Sequence, residues 1–168
     1  MWPKWVNVGD KMKFSDFICF DAVVPALSGP DRDSAIGELV RSLDKAGKLG
    51  RGNCKKITDA VISREREAST GMGKGVAVPH VKHKVVKDVV ATVGLCGAGL
   101  DFSALDKQPV YSVILLVSPA DYPDKHLQAM EHIFQHLQQE RFRKFLRQCQ
   151  TAGQIEDLLR EADENPSL

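Results

Sequence analysis

The chain is 168 residues long, 43% hydrophobic and 27% charged, with a formal net charge of +1. That length supports one core without disulfide or metal staples, and neither the charge balance nor any basic run or zinc-finger spacing supports nucleic-acid binding. Four scattered cysteines, Cys19, Cys54, Cys96 and Cys149, form no Cys-x-x-Cys pair and read as free thiols of a cytoplasmic protein, while the most apolar stretch, Val110 to Val117, is far shorter than the roughly 20 residues of a membrane helix.

Residues 1–13 carry two Trp and no clear period, lack the apolar region of a signal peptide, and read as an extension outside the domain. From Phe14 an apolar segment leads to a strand expected over Ala22 to Leu27, whose Pro25 places it at an edge or bulge. Ser28 to Asp31 is a turn. Ile36, Leu39, Val40 and Leu43 then recur at helical spacing behind the capping candidates Asp33 and Ser34, with Gly47 as the stop. A second helix follows in Ile57, Ala60, Val61 and Arg64, capped by Asn53. Its period puts Arg64 on the apolar face, where an arginine either lays its stem over the core edge or aims its guanidinium inward.

The stretch Arg64 to His80 joins three kinds of local signal. An Arg-Glu pair closes the helix, Gly71, Gly73 and Gly75 alternate in a loop where positive φ costs nothing, and Val76 to Val78 form a short strand. Pro79 ends that strand, because it cannot donate to a ladder, and its fixed φ presents His80 just beyond the strand end. Val81 to Lys87 reads as a basic connection, Val89 to Leu95 as a buried strand, Asp101 to Gln108 as a polar connection and Val110 to Val117 as a second strong strand ended by Ser118-Pro119. Leu127, Met130, Phe134 and Leu137 mark a helix with His126 at its start. Arg141 to Cys149 marks another, carrying Phe142, Phe145 and Leu146. Thr151 with Gln154 gives a capping-box signal before Ile155, Leu158 and Leu159. The polar tail from residue 161 is expected to fray. Strands interspersed with helices predict a single α/β domain.

Two chemical readings fail on spacing. The glycines precede a strand and do not open a helix, so they do not form a dinucleotide fingerprint, and Gly73-Lys74 lacks both the upstream glycine and the following Ser or Thr of a Walker A loop. His132 and His136 stand four apart on a helix without a His-Glu-x-x-His pattern; they read as solvated surface. The sequence assigns no metal and no cofactor.

The pattern Arg-Glu, Ser-Thr-Gly-x-Gly-x-Gly and Val-Ala-Val-Pro-His, continued in Ala104-Leu105-Asp106, Pro109-Val110, Leu115 to Pro119 and His126-Leu127, resembles the type 2 EIIA domains of the bacterial phosphoenolpyruvate-dependent sugar phosphotransferase system. The resemblance covers residues 14–160. It implies a mixed β-sheet with helices on both faces and a phosphocarrier in which His80 takes a phosphoryl group on Nε2. His126 would hydrogen-bond the phosphoryl group or the first imidazole, and Arg64 would offset developing negative charge, a task that suits a planar guanidinium. Thr70, Gly71 and Gly73 would supply N–H groups or merely the bend, with the bend favoured. The implied donor is an HPr-like protein, and the implied acceptor or target is an EIIB-like domain or a regulatory protein. No EIIB-like domain or membrane channel is read in this chain, so the nitrogen-regulatory branch is the nearer analogy. One departure stands out: Val81 follows Pro-His where the family usually has Gly or Ala, and a β-branched side chain there is expected to narrow a partner's approach. A module that keeps the fold without carrying phosphate is the competing reading.

Overall fold

The β-branched run beginning at Val110 becomes the central strand of the domain in the computed structural model, which describes residues 11–168. This strand, β5 (Val110–Pro119), is buried along almost its whole length. On one side it pairs antiparallel with β4 (Val90–Leu100), and on the other it pairs parallel with β2 (Val76–Ala77) and then with β3 (His80–His83). β1 (Gly71–Gly73) closes that edge as the antiparallel hairpin partner of β2. The sheet is therefore mixed, and every strand but β1 leans on β5.

Alternation along β5 sends its side chains into two separate cores. Ile114 and Leu116 pack with α1 (Phe14–Phe17), α4 (Pro123–Leu137), α5 (Glu140–Gln148) and α6 (Ala152–Glu164), through residues such as Ile133, Phe142 and Leu159. Val113, Leu115 and Val117 pack on the opposite face with α2 (Arg32–Lys45) and α3 (Cys54–Glu67), through Ile36, Leu39, Ile57 and Val61. Helices thus cover both faces of one mixed sheet, which is the α/β architecture the sequence predicts.

Several local expectations are corrected. The segment Ala22 to Leu27 is not a strand: a 3₁₀ turn spans Phe20–Ala22, Val24 forms an isolated bridge to β4 at Gly94, and the Leu27 N–H donates to the Leu95 carbonyl. Pro25 has no N–H to extend that pairing. The first long helix is capped two residues before Asp33, the earlier of the two expected caps, by Asp31, whose Oδ1 accepts the Ser34 N–H at 2.8 Å. At the second helix, Asn53 does occupy the cap position but makes no side-chain cap bond; its Nδ2 donates to the Leu49 carbonyl instead. β4 runs on to Leu100 through an irregularity after Leu95, and the basic connection after His80 begins as strand β3.

The histidine pair on α4 is also not solvated surface. His136 is 1% exposed, and the two imidazoles lie 4.5 Å apart with the Phe14 ring against both. The four-residue α1 lays Phe14 over them, and Asp163 of α6 holds α1 in place by accepting the Phe14 and Ser15 N–H groups at 2.7 and 3.0 Å. A sequence period describes α4 alone and does not show that α1 covers it. The same contacts correct the tail: α6 continues to Glu164, and Leu168 is buried. Of the extension, residues 1–10 lie outside the described residues, while Met12 packs against the core.

Candidate active site

The route to His80 starts at the end of α3. Glu65 continues the Ile57–Val61 stripe by one more turn, is 1% exposed, and accepts the Thr70 N–H and the Thr70 hydroxyl, each at 2.8 Å. That carboxyl fixes the chain as it leaves the helix. Gly71 then passes so close to the 101–108 connection that a Cβ there would lie 2.8 Å from the Ala104 Cβ. Lys74 and Gly75 both take positive φ, 60° and 79°, as a two-residue hairpin turn with right-handed strand twist requires. Asp106 holds the turn by accepting the Lys74 N–H at 3.0 Å. The Thr70 N–H is engaged by Glu65 and the Gly71 N–H by the Ser69 hydroxyl, so these groups shape a bend.

Between β2 and β3 the Val78-Pro79 step interrupts the edge, and Leu116 donates to the Pro79 carbonyl at 3.0 Å. His80 follows, half-buried and paired with Leu116. Its Nδ1 lies 2.7 Å from the Val78 carbonyl oxygen. A carbonyl only accepts, so Nδ1 carries the hydrogen and the Nε2 lone pair is left free. Burial holds this imidazole below its ordinary pKa, with the Arg64 charge acting in the same direction and the Val78 carbonyl and Glu65 opposing. It is therefore neutral at pH 7, the form that can act as a nucleophile.

His126 enters from the first turn of α4 and is 6% exposed. Its Nδ1 shares a 2.8 Å hydrogen bond with the Ser118 hydroxyl at the end of β5, and its ring centroid stands 5.5 Å from that of His80. Desolvation first, then the neighbouring His80 and Lys82 charges, lower its pKa to about 4. An ordinary histidine in the unfolded chain titrates near 6.5. Between those values the unfolded chain binds a proton that the folded chain refuses, so His126 favours folding fully above pH 6.5 and progressively less toward pH 4. We expect the loss to be on the order of 3 kcal/mol, and His126→Gln to flatten that part of a urea-unfolding pH profile.

Arg64 is at the same end of α3, and its charge acts on His80. Its Nη1 donates to the Ala68 carbonyl at 3.0 Å, so the guanidinium is tied to the C-terminus of its own helix rather than bonded to either imidazole. Val81, expected to crowd the nucleophile, points the other way. Alternation places it with Val117 on the α2–α3 face, packed against that core. Sequence reasoning gave Glu65 no separate role, although its i+4 spacing from Val61 was a signal that the glutamate faced inward.

An open groove of about 590 Å³ runs from His80 and His126 along Leu127, Met130, Glu131 and Phe134. The inward stripe of α4 is His126, Ala129, Ile133, His136 and Leu137. Leu127, Met130 and Phe134, which mark the helical period in the sequence, lie beside that stripe along the groove: Met130 and Phe134 are partly buried against the core, and Leu127 is 59% exposed. Among the described residues no group of three or more His, Cys, Asp or Glu could hold a metal, and no helix is long and apolar enough to cross a membrane.

Comparison with known proteins gives a consistent relationship. The chain is 30% identical over 152 residues to the fructose-specific EIIABC component of Bacillus subtilis, covering 90% of this chain and spanning 24% of that protein's length. It is 30% identical over 148 residues to a nitrogen regulatory protein of Bradyrhizobium diazoefficiens, covering 88% of this chain and 95% of that one. The crystal structure of the nitrogen regulatory protein IIA-Ntr from Neisseria meningitidis superimposes with a TM-score of 0.78 at 22% identity, covering 87% and 98% of the two chains. Residues 18–162 match the model of the phosphoenolpyruvate-dependent sugar phosphotransferase system EIIA 2 family, to which this chain belongs.

Proposed function

We propose that this phosphotransferase-system protein carries a phosphoryl group on Nε2 of His80, accepted from an HPr-like donor. The observation that supports this reading is the His80–Val78 bond, which commits Nδ1 as donor and leaves the Nε2 lone pair free beside the groove. Phosphoryl transfer needs in-line positioning and fixed positive charge around the equatorial oxygens more than covalent help. His126, 6% exposed and oriented by Ser118, would place its remaining ring nitrogen at the phosphoryl oxygens, and Arg64 would add charge from the α3 end. The groove beside the histidines offers apolar surface for a protein donor, and for an EIIB-like or regulatory acceptor. Similarity to a nitrogen regulatory protein along nearly its whole length favours a regulatory output, in which phosphorylation selects the partner.

Incubation with phosphoenolpyruvate, Enzyme I and HPr from the same organism should yield one acid-labile, alkali-stable phosphate per chain. Absence of label on a folded protein would favour the competing reading, a binding module that keeps this fold without carrying phosphate.

A further inference from the structure

We propose that Lys82 is a further catalytic residue, its ammonium contacting an equatorial oxygen of the phosphoryl group while that group passes to and from His80. This rests on the phosphocarrier reading above. His80 and Lys82 are two apart on β3, so both project from the same face of the strand, the face opposite Val81. The Cα partner of Lys82 on β5 is Ser118, and the Ser118 hydroxyl holds His126. One strand position thus lies beside both imidazoles. The successive same-face residues of a strand are about 6.6 Å apart, a span that the four-carbon stem of a lysine bridges.

Three charged groups from the end of α3 are already engaged, while Glu131 lines the groove on the α4 side. Arg64 is bonded to Ala68, Arg66 pairs with Asp33 at 2.7 Å, and Glu65 holds Thr70. Lys82 is exposed and makes no ion pair among the described residues, and its charge acts on both histidines, disfavouring their protonation. An exposed ammonium beside two neutral imidazoles has a natural counterpart in a dianionic phosphoryl group. In the transfer, the Nε2 lone pair forms the new N–P bond while the donor's P–N bond breaks and its electron pair returns to the donor nitrogen. The hydrogen on Nδ1 stays there, donated to the Val78 carbonyl.

The test uses phosphoramidate, a donor too small to dock on the groove, with phospho-HPr in 1 M salt as a second donor. At that ionic strength the screening length is about 3 Å, so long-range steering is suppressed and a contact effect survives. Lys82→Gln should slow phosphorylation of His80 by roughly tenfold with either donor, and Lys82→Arg should recover most of the rate. In a 31P NMR titration of the phosphorylated protein, Lys82→Gln should raise the second phosphoryl pKa relative to wild type, a shift that a structural role for the lysine would not produce. Wild-type rates and an unchanged titration in Lys82→Gln would overturn the assignment while leaving the phosphocarrier reading intact. A wild-type protein that takes phosphate from neither donor would overturn both.

Discussion

His80→Gln should take up no acid-labile phosphate from phospho-HPr, a loss of roughly 10⁴-fold or more, as expected when the nucleophile of a covalent mechanism is removed. The side chain is half-buried and belongs to neither core, so the variant should stay folded, and its urea midpoint serves as the control. His126→Gln provides the contrast. It keeps the nucleophile and loses one group that would orient the phosphoryl oxygens, so it should retain slow labelling, down by about 10². If His80→Gln labelled as well as wild type, with His126→Gln inert, the assignments of the two rings would be exchanged.

Glu65→Ala should cost about 3 kcal/mol of stability and slow phosphorylation as well. The carboxyl is 1% exposed, and each oxygen accepts one hydrogen bond from Thr70. Truncation leaves the part-buried Thr70 N–H without its partner and opens a cavity where the buried Glu65 side chain stood. Each of these penalties is of the order of 1–3 kcal/mol. The effect on activity follows from the chain path: Thr70 leads directly into the β1–β2 hairpin, and from β2 the chain runs through Val78 and Pro79 to His80 at the start of β3. Glu65→Gln, which keeps one acceptor, should recover part of both losses. Chemical denaturation and single-turnover labelling of the three proteins would measure this, and a Glu65→Ala protein as stable as wild type would contradict it.

Much of this fold is legible in the sequence because the two signals that decide it are local. Val110 to Val117 and Val89 to Leu95 are β-branched runs that fit only a buried strand, and Ile36 to Leu43 and Ile57 to Arg64 keep a helical period. What the sequence does not show is what one element lays over another. The α4 histidines read as surface because nothing in their own helix reveals that Phe14, more than a hundred residues earlier, covers them. Leu127, Met130 and Phe134 share one helical period, yet Met130 and Phe134 are partly buried against the core while Leu127 stays exposed at the groove, since period identifies an apolar face and not what faces it.

The site divides in the same way. The Pro79-His80 step and the glycines mark the place, but the direction of a side chain around a sheet edge depends on strand register. β3 was read as a connection, so the alternation that turns Val81 inward and brings Lys82 beside His80 was not available. Arg64 was expected to face the site. It does lie close enough to act on His80, but the end of its own helix presents an orphan carbonyl at Ala68, and the guanidinium donates there.

The position of the phosphate itself tests the central claim most directly. Protein labelled with 15N at the imidazole nitrogens and phosphorylated through Enzyme I and HPr should show, by 31P and 15N NMR, a single phosphohistidine at His80, linked through Nε2 with its hydrogen on Nδ1. Phosphate on Nδ1, on His126 or on a hydroxyl would contradict the account, because each requires that the His80–Val78 hydrogen bond does not select the nucleophile.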